Sequence, residues 1–365
     1  MSLQFIMGNS GSGKSYCLYD TVVREAIENP DKNYLVIVPE QFTMQTQKDL
    51  CLAHPKGGIM NIDVLSFGRL AYRVFEEVGQ DARVVLDDEG KNLVLRKIAG
   101  ECEKDLKVFK GNLKKQGYIS EVKSVLSEFA QYGVDFERLD DFMKEVPPES
   151  YLHYKLDDIR TIYEKFEEYL SEKYITKEEM LDVLSDAVPY SDILKGSVVA
   201  MDGFTGFTPV QNRLIGELFS VCEKVMITVT MDGRENPYVY EHPYQIFALG
   251  KQMVTSLMKI AGEKKTEIEE PICLFERPVY RFRDCSEMAF LETELFRYSG
   301  AKYNGSCESV SLHEVRSPGK EAKYVAESIR RLVRTKGYRY RDIAVIASDM
   351  NVYADVLEKA CASFD

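Results

Sequence analysis

The chain has 365 residues, with 59 acidic against 47 basic side chains and a formal net charge of −12. This length accommodates two or three domains with buried cores, and an apolar content of 45% excludes wholesale disorder. No uninterrupted apolar run approaches the roughly 18 residues of a membrane span, and the N-terminus lacks the basic stretch of a secretory signal. The acidic total argues against indiscriminate binding of polyanions but leaves room for a local nucleic-acid groove, because electrostatic fields are screened within about 10 Å.

Short apolar runs alternate with helical patterns at the start of the chain. The predicted strands here span residues 3–7, 34–38 and 59–66, and the predicted helices span 15–28 and 67–78. This order of strands and helices predicts an α/β fold, an open parallel sheet flanked by helices.

Strand signals then vanish from about residue 83 to 189, where apolar residues fall at helical spacing and Thr176 with Glu179 predicts a capping box. The block is predicted to be an all-α insertion. Strands return at 197–201 and 224–230, around a helix at 209–219, and 262–271 is predicted to be a solvated loop or linker.

A new unit is predicted from a strand at 310–315, a helix at 322–333 and a strand at 343–347. Because this pattern lacks further strands, we expect the second α/β domain to be truncated within these residues. The predicted organisation is a discontinuous domain of residues 1–80 and 192–303, a helical insertion at 81–191, and the start of a second domain at 304–365.

The eight cysteines and four histidines show no metal-binding spacing. No Cys-x-x-Cys pair occurs, so the cysteines are predicted to be reduced thiols of a cytoplasmic protein. A strip of lysines with two aromatic residues among them is interpreted as a solvated helical face, with duplex contact as the alternative. It comprises Lys107, Phe109, Lys110, Lys114, Lys115 and Tyr118.

A complete phosphate-binding motif, G-x-x-x-x-G-K-[ST], lies between the first predicted strand and helix. Its residues are Gly8, Asn9, Ser10, Gly11, Ser12, Gly13, Lys14 and Ser15. Glycines let successive backbone N–H groups point at phosphate oxygens, the lysine supplies charge to the β- and γ-phosphates, and the serine hydroxyl ligates Mg²⁺. The motif predicts binding of ATP with Mg²⁺; a loop retained only for the fold is the alternative.

Phosphate binding does not by itself predict hydrolysis. Asp202 ends the strand at 197–201 and is the candidate second contact to Mg²⁺, but the next residue is Gly203. In P-loop ATPases this position usually carries a glutamate that activates water. Loss of a general base costs about 10²–10⁴-fold in rate, so little or no ATPase activity is expected.

The order and content of several segments resemble the N-terminal part of the AddB-type subunit of bacterial ATP-dependent helicase/deoxyribonuclease. The resemblance spans essentially the whole chain. The segments that carry it are the phosphate loop, LVIVPEQFT at 35–43, VLSFGRLA at 64–71, MDGFTGFTP at 201–209 and GYRYRDIAV at 337–345.

The resemblance implies a UvrD-like helicase scaffold with RecA-like domains that has lost motor activity. It implies an AddA-type helicase–nuclease partner, processing of double-strand DNA ends for recombinational repair, and recognition of the Chi sequence as single-stranded DNA. The family's iron–sulfur cluster is expected only in a C-terminal nuclease domain outside this chain, so none of the cysteines here is assigned to iron.

The resemblance also implies a DNA-binding surface formed by the loops after the second and third strands and by the Asp-Gly-Phe segment. The corresponding residues are Gln41, Thr43, Phe67, Arg69, Tyr72 and Phe204. Aromatic rings stack on bases, and glutamine and arginine hydrogen-bond to base edges or phosphates. Core packing of the three rings, and helix capping by Gln41 and Thr43, remain the structural alternatives.

Two other functions stay open at this point. The first alternative to an inactive, DNA-binding motor fold is an active P-loop ATPase or helicase lobe with its acid elsewhere, and the second is a purely structural subunit that keeps both features as remnants.

Overall fold

A computed structural model describes residues 1–79, 84–113, 115–170 and 173–364. The chain divides into two compact units, Met1–Asp284 and Cys285–Asp365. The predicted boundary between residues 80 and 81, and Lys114 of the lysine strip, lie outside the described residues.

The first unit is built on a parallel β-sheet. Its main sheet has the order β3-β2-β6-β7-β1-β8, with β9 also paired to β1, while β4 and β5 form a separate parallel pair. The strands are β1 (Ser2–Gly8), β2 (Tyr34–Ile37), β3 (Ile62–Leu65), β4 (Val84–Leu86), β5 (Tyr174–Thr176), β6 (Val198–Met201), β7 (Lys224–Thr230), β8 (Glu267–Ile268) and β9 (Ile272–Leu274).

Helices make up most of the remaining regular structure, and the last three described helices belong to the second unit. They are α1 (Lys14–Glu28), α2 (Thr43–Ala53), α3 (Phe67–Val78), α4 (Asp88–Cys102), α5 (Gln116–Tyr132), α6 (Phe136–Glu145), α7 (Tyr151–Leu170), α8 (Glu179–Ala187), α9 (Pro209–Val221), α10 (Ala248–Lys264), α11 (Ser286–Glu294), α12 (Pro318–Lys336) and α13 (Met350–Ala362). Short 3₁₀ helices lie at Glu40–Phe42, Val188–Tyr190, Tyr280–Phe282 and Tyr340–Asp342. Among the described residues, no helix is both long and apolar enough to cross a membrane.

The main sheet is covered on both faces, as a parallel sheet requires. Side chains alternate along a strand, so Leu35 of β2 packs in the core formed with α3, α8, α9 and α10, whereas its neighbour Val36 packs in the core formed with α1 and α2. Every residue of β2 and of β6 is buried. The predicted α/β class with a helix-flanked parallel sheet is therefore confirmed.

The predicted helical block has its own apolar core, formed by α4, α5 and α7 around residues such as Ile98, Leu126 and Phe166. The two hydrogen bonds of the predicted capping box are present, since the Thr176 amide donates to Glu179 Oε2 (2.7 Å) and the Glu179 amide donates to Thr176 Oγ1 (3.2 Å), although α8 begins only at Glu179, with Glu178 as its N-cap residue. The prediction that this block lacks strands is wrong, because β4 and β5 pair there. Two three-residue strands are too short to produce a readable sequence period.

Three further predictions are wrong for a shared reason. Residues 262–271 are not a continuous loop, because α10 continues to Lys264 and β8 pairs with the edge of β1, although most of the segment is exposed as predicted. Conversely, residues 310–315 and 343–347 form no strand, and Leu312 and Ile346 are 98% and 94% exposed. Whether an apolar run becomes a strand depends on a partner backbone, and no described segment pairs with these two.

Candidate functional site

One edge of the main sheet gathers the loops that the sequence singled out. Because the strands are parallel, the carboxyl ends of β1, β2, β3 and β6 all lie at this edge, where ligands bind in open α/β folds. Strand β7 lies between β1, which leads into the phosphate loop, and β6, which leads into Asp202. The fold therefore brings the two predicted nucleotide-site segments to the same side of the sheet.

The predicted phosphate loop joins β1 directly to α1, and Lys14 is the first residue of that helix. Lys14 Nζ donates a hydrogen bond to the backbone oxygen of Asn9 at 2.9 Å, so its side chain folds back over the loop. Burial lowers the pKa of Lys14 to about 8; Asp202 acts in the opposite direction, and Arg281 lowers it further. A bound anion would offset this cost of burying the Lys14 ammonium group, so the site favours binding of an anion.

Arg281 is a candidate site residue that the sequence analysis missed. Its amide donates to the backbone oxygen of Gly11 at 3.1 Å, and its guanidinium is close enough to act on Lys14. Gly11 has φ +84°, and a Cβ atom there would lie 2.7 Å from the Arg281 Cβ, so only glycine fits this contact. No local pattern could have revealed Arg281, because it is far from the loop in sequence and approaches it only in the fold.

The loop residues fit a bound phosphate group. Ser12 Oγ is buried, and among the described residues it has no hydrogen-bond partner. Such a group normally finds one, because an unsatisfied buried hydroxyl costs about 1–3 kcal/mol. The Ser15 side chain is exposed at the start of α1, where the helix dipole favours negative charge.

Asp202 lies directly after β6 and is 7% exposed. Its two oxygens accept hydrogen bonds from neighbouring elements, Oδ1 from Thr228 of β7 (2.6 Å) and Oδ2 from Tyr19 of α1 (2.8 Å). Burial, and then the Asp202 charge, raise the pKa of Tyr19 above its ordinary value, so the phenol stays a donor. Asp202 thus connects the strand to the helix that carries the phosphate loop.

For Mg²⁺ the protein offers few ligands of its own. Ser15 and Asp202 supply a hydroxyl and a carboxylate, and the described residues include no group of three or more His, Cys, Asp or Glu side chains that could hold a metal. This sparse set fits the usual environment of Mg²⁺, which keeps several waters and takes its remaining oxygens from substrate phosphates.

Gly203 has a conformational role besides its lack of a carboxylate. Its φ is +78°, and a Cβ atom there would lie 3.5 Å from Pro39 Cδ and 3.7 Å from Phe42 Cδ2. The left-handed conformation disfavours any L side chain at this position by about 1–2 kcal/mol. Restoring a glutamate here therefore conflicts with the backbone of this loop.

The six predicted DNA-contacting residues separate into an exposed and a buried set. Gln41, Arg69 and Tyr72 are exposed, and Phe204 is half-buried. Thr43 and Phe67 are only 3% and 8% exposed. The sheet edge therefore presents four of these side chains to solvent, fully or in part.

The buried pair has structural roles. Phe67 packs against Phe204 and Phe207, with ring centroids 5.4 and 6.4 Å away, so the core-packing alternative describes its environment. Thr43 donates its hydroxyl to the backbone oxygen of Glu40 at 3.0 Å. Helix α2 begins at Thr43 without a side-chain cap, so the alternative that Gln41 and Thr43 cap this helix is not supported.

Two further residues, Glu40 and Phe42, lie beside the exposed candidate DNA-contacting residues. Arg69 Nε lies 3.2 Å from Glu40 Oε1, and both side chains are largely exposed, so an incoming phosphate can compete with this ion pair. Phe42, which the sequence analysis did not select, is 47% exposed beside Gly203. It lies between Gln41 and Thr43 in the same motif, and its exposure makes it a better stacking candidate than Phe67.

Comparison with known proteins gives one consistent family. A family model described as "ADDB, N-terminal" matches residues 5–292. Proteins named as the B subunit of ATP-dependent helicase/deoxyribonuclease are similar to nearly the whole chain. They include those of Lachnoclostridium phytofermentans (42% identity, 98% of this chain and 32% of that protein), Thermoanaerobacter sp. (35%, 98% and 31%) and Clostridium tetani (33%, 98% and 31%).

The chain thus spans about a third of the length of the curated relatives it matches. The resemblance identified from the five motifs is confirmed by these matches, which extend over the phosphate loop, the sheet-edge loops and the helical block. The chain belongs to the family of AddB N-terminal regions.

Proposed function

We propose that this chain is the helicase-like N-terminal region of the B subunit of an ATP-dependent helicase/deoxyribonuclease that processes DNA ends for repair. The relatives' names supply the activity and imply a partner subunit, which we propose to be of the AddA type. The observation that carries the proposal is the convergence of the phosphate loop, Asp202 and the exposed loops after β2 and β3 at one edge of a parallel sheet. The proposed scaffold is RecA-like, as in UvrD-type helicases, with a helical insertion.

In this proposal the loop from Gly8 to Ser15 binds the phosphates of ATP. Lys14 supplies charge, the backbone amides and the buried Ser12 hydroxyl donate hydrogen bonds, and Arg281 adds a second cation beside the loop. Ser15 and Asp202 are the protein's candidate contacts to Mg²⁺. The bound nucleotide would relieve the shortage of counter-charge at Lys14.

The nucleotide is proposed to be bound but turned over slowly or not at all. Gly203 cannot accept a proton, and its left-handed backbone disfavours the glutamate of an active enzyme. Asp202 already accepts hydroxyl hydrogen bonds on both oxygens, which suits a positioning role better than that of a mobile base.

The exposed loops are proposed to bind single-stranded DNA, including the Chi sequence. Tyr72, Phe42 and Phe204 would stack on bases, and Gln41 and Arg69 would contact base edges or phosphates. Stacking contributes about 1–3 kcal/mol per base, so loss of one exposed ring should be measurable. In this arrangement the ring of the largely buried Phe67 packs against the Phe204 ring and holds it in position.

Titration of labelled single strands tests the DNA surface. The double variant Arg69→Ala and Tyr72→Ala should bind at least tenfold more weakly than the unmodified chain. The control, Arg138→Ala with Tyr151→Ala, removes the same side-chain types from exposed positions on α6 and α7 and should not change affinity. Equal affinity for all three proteins would leave a purely structural role.

Turnover tests the inactive-motor part of the proposal. Measured with the partner subunit and single-stranded DNA, ATP hydrolysis that depends on Lys14 of this chain would contradict it and favour an active ATPase lobe. Loss of nucleotide binding in Lys14→Ala, with hydrolysis by the complex otherwise unchanged, would support it.

A further inference from the structure

A segment beyond β8 crosses the phosphate loop, and we call residues 272–282 the strap. The strap starts as β9, which pairs in parallel with β1 so that Leu274 aligns with Gly8. It ends in the 3₁₀ helix Tyr280–Phe282, where the Arg281 amide donates to the backbone oxygen of Gly11 at 3.1 Å. The strap therefore contacts the phosphate loop at two residues of the loop, Gly8 at its start and Gly11 in its middle.

Both contacts bring the strap and loop into close approach. A Cβ atom on Gly8 would lie 2.7 Å from the backbone oxygen of Leu274, and one on Gly11 would lie 2.7 Å from the Arg281 Cβ. Such spacing leaves no room for a water molecule or a flexible side chain between them. If the strap shifts, it must consequently either push the loop with it or carry Arg281 away from Gly11.

An ion pair holds the middle of the strap. Arg277 donates to Asp232 Oδ2 at 2.6 Å, and Asp232 is only 2% exposed. Asp232 lies two residues after the end of β7. The residue between them, Met231, donates its amide to the backbone oxygen of Gly8 at 2.9 Å. The carboxylate that holds Arg277 is thus one residue away from a hydrogen bond to the start of the phosphate loop.

Packing supports the ion pair. Phe275 lies against Gly233, where a Cβ atom would be 2.8 Å from the ring, and Val279 is 1% exposed. Burial opposes the charge on Asp232, but the arginine hydrogen bonds and charges outweigh it and hold the pKa of that carboxyl below its ordinary value. The pair therefore stays charged across the neutral pH range.

A second arginine on the same carboxylate provides an internal comparison. Arg234 donates to Asp232 through Nη2 at 2.7 Å and through Nε at 3.1 Å. Arg234 is two residues from Asp232 and lies outside the strap, whereas Arg277 belongs to it. Removing either arginine takes one positive charge from the same carboxylate, but only the removal of Arg277 also takes the Asp232 contact from the strap.

We propose that Arg277 is a positioning residue for the nucleotide site, latching the strap to Asp232 so that Arg281 stays beside Gly11 and Lys14. This inference rests on the proposed nucleotide binding at the loop. With the latch intact, the phosphate loop and its second cation are in place before the anion arrives. Without it, only the fraction of molecules that still hold Arg281 beside Gly11 is ready to bind, and the apparent affinity is the intrinsic affinity multiplied by that fraction.

The test uses the 365-residue chain, the fluorescent probe mant-ATP with Mg²⁺, and hydrogen–deuterium exchange of strap peptides. Arg277→Gln should raise exchange across residues 272–282 and weaken mant-ATP binding about tenfold, mainly through slower apparent association. Arg277→Lys keeps a cation opposite Asp232 and should give intermediate exchange and affinity. Arg234→Gln is the matched control and should leave both measurements unchanged.

Two results would overturn the proposal. One is unchanged strap exchange and affinity in Arg277→Gln, and the other is an equal loss of affinity in Arg234→Gln, which would indicate a local charge effect. If Arg277→Gln does not fold, Arg277→Lys decides by the same comparison. A wild-type chain that binds no mant-ATP overturns the nucleotide site itself, and the exchange data then decide separately whether Arg277 holds the strap.

Discussion

Raising the pH through the pKa of Lys14 should weaken nucleotide binding. In the free protein this pKa is lowered from 10.5 to about 8, first by burial, with Asp202 opposing the shift and Arg281 adding to it. A bound triphosphate supplies the missing counter-charge and raises the pKa again. Binding above pH 8 must therefore take up a proton, and affinity falls as protons become scarce.

The size of the effect follows from the free-state pKa. While the pKa in the complex stays above the measured range, each pH unit above about 8 reduces affinity roughly tenfold. Between pH 7 and 9.5 the dissociation constant for Mg²⁺-ATP should rise about 30-fold. At pH 9 about 0.9 proton should be taken up per nucleotide bound.

Calorimetry in two buffers of different ionisation enthalpy measures both quantities. Lys14→Arg is one control, because a guanidinium keeps its charge throughout this range and any remaining binding should be independent of pH. Arg281→Gln is the second control, since removing a cation that lowers the Lys14 pKa should move the decline to higher pH. A constant affinity from pH 7 to 9.5 without proton uptake would refute the reasoning.

Three further predictions concern stability. Phe67→Ala should lower the free energy of unfolding by about 3–5 kcal/mol because the ring is buried, whereas Tyr72→Ala, at an exposed position, should change it by no more than about 0.5 kcal/mol in urea titrations. Gly203→Glu should cost about 1–2 kcal/mol and create no ATPase activity, because φ is +78° at that residue. Burial, then the Glu179 charge, raise the pKa of Glu167 to about 7 from an ordinary 4.5, so wild-type stability should fall between pH 4.5 and 7. Glu167→Gln should therefore be about 1–2 kcal/mol more stable than wild type at pH 8, after allowance for partial exposure of the site, and equally stable at pH 4.

Each of these predictions has a contradicting outcome. Equal stability of Phe67→Ala and Tyr72→Ala would mean that Phe67 is not part of the core. For Gly203→Glu the control is Gly206→Glu, a position with open space in the same loop, and equal stability of the two would contradict the backbone argument. A stability difference at pH 4 as large as at pH 8 would show that Glu167→Gln acts through packing and not through its charge.

The aromatic residues of α3 show where prediction from sequence ended. Helical spacing places Phe67 and Tyr72 on different faces of that helix, but it does not say which face meets the sheet. The position of α3 against β3 and α8 decides this, burying Phe67 and leaving Tyr72 52% exposed. The strands predicted at 310–315 and 343–347 failed for a related reason, since an extended run requires a partner backbone.

The sequence by itself determined the features that depend on neighbouring residues. These are the loop between β1 and α1, the alternation of strands and helices, the Thr176–Glu179 cap and the family. Only the tertiary structure decided what surrounds that loop: Arg281 against Gly11, Arg277 on Asp232, and hydroxyls from Tyr19 and Thr228 on Asp202. The physical reason is range, because turns and caps arise from contacts within a few residues, whereas the charges around a phosphate site come from segments that meet only after the sheet has formed.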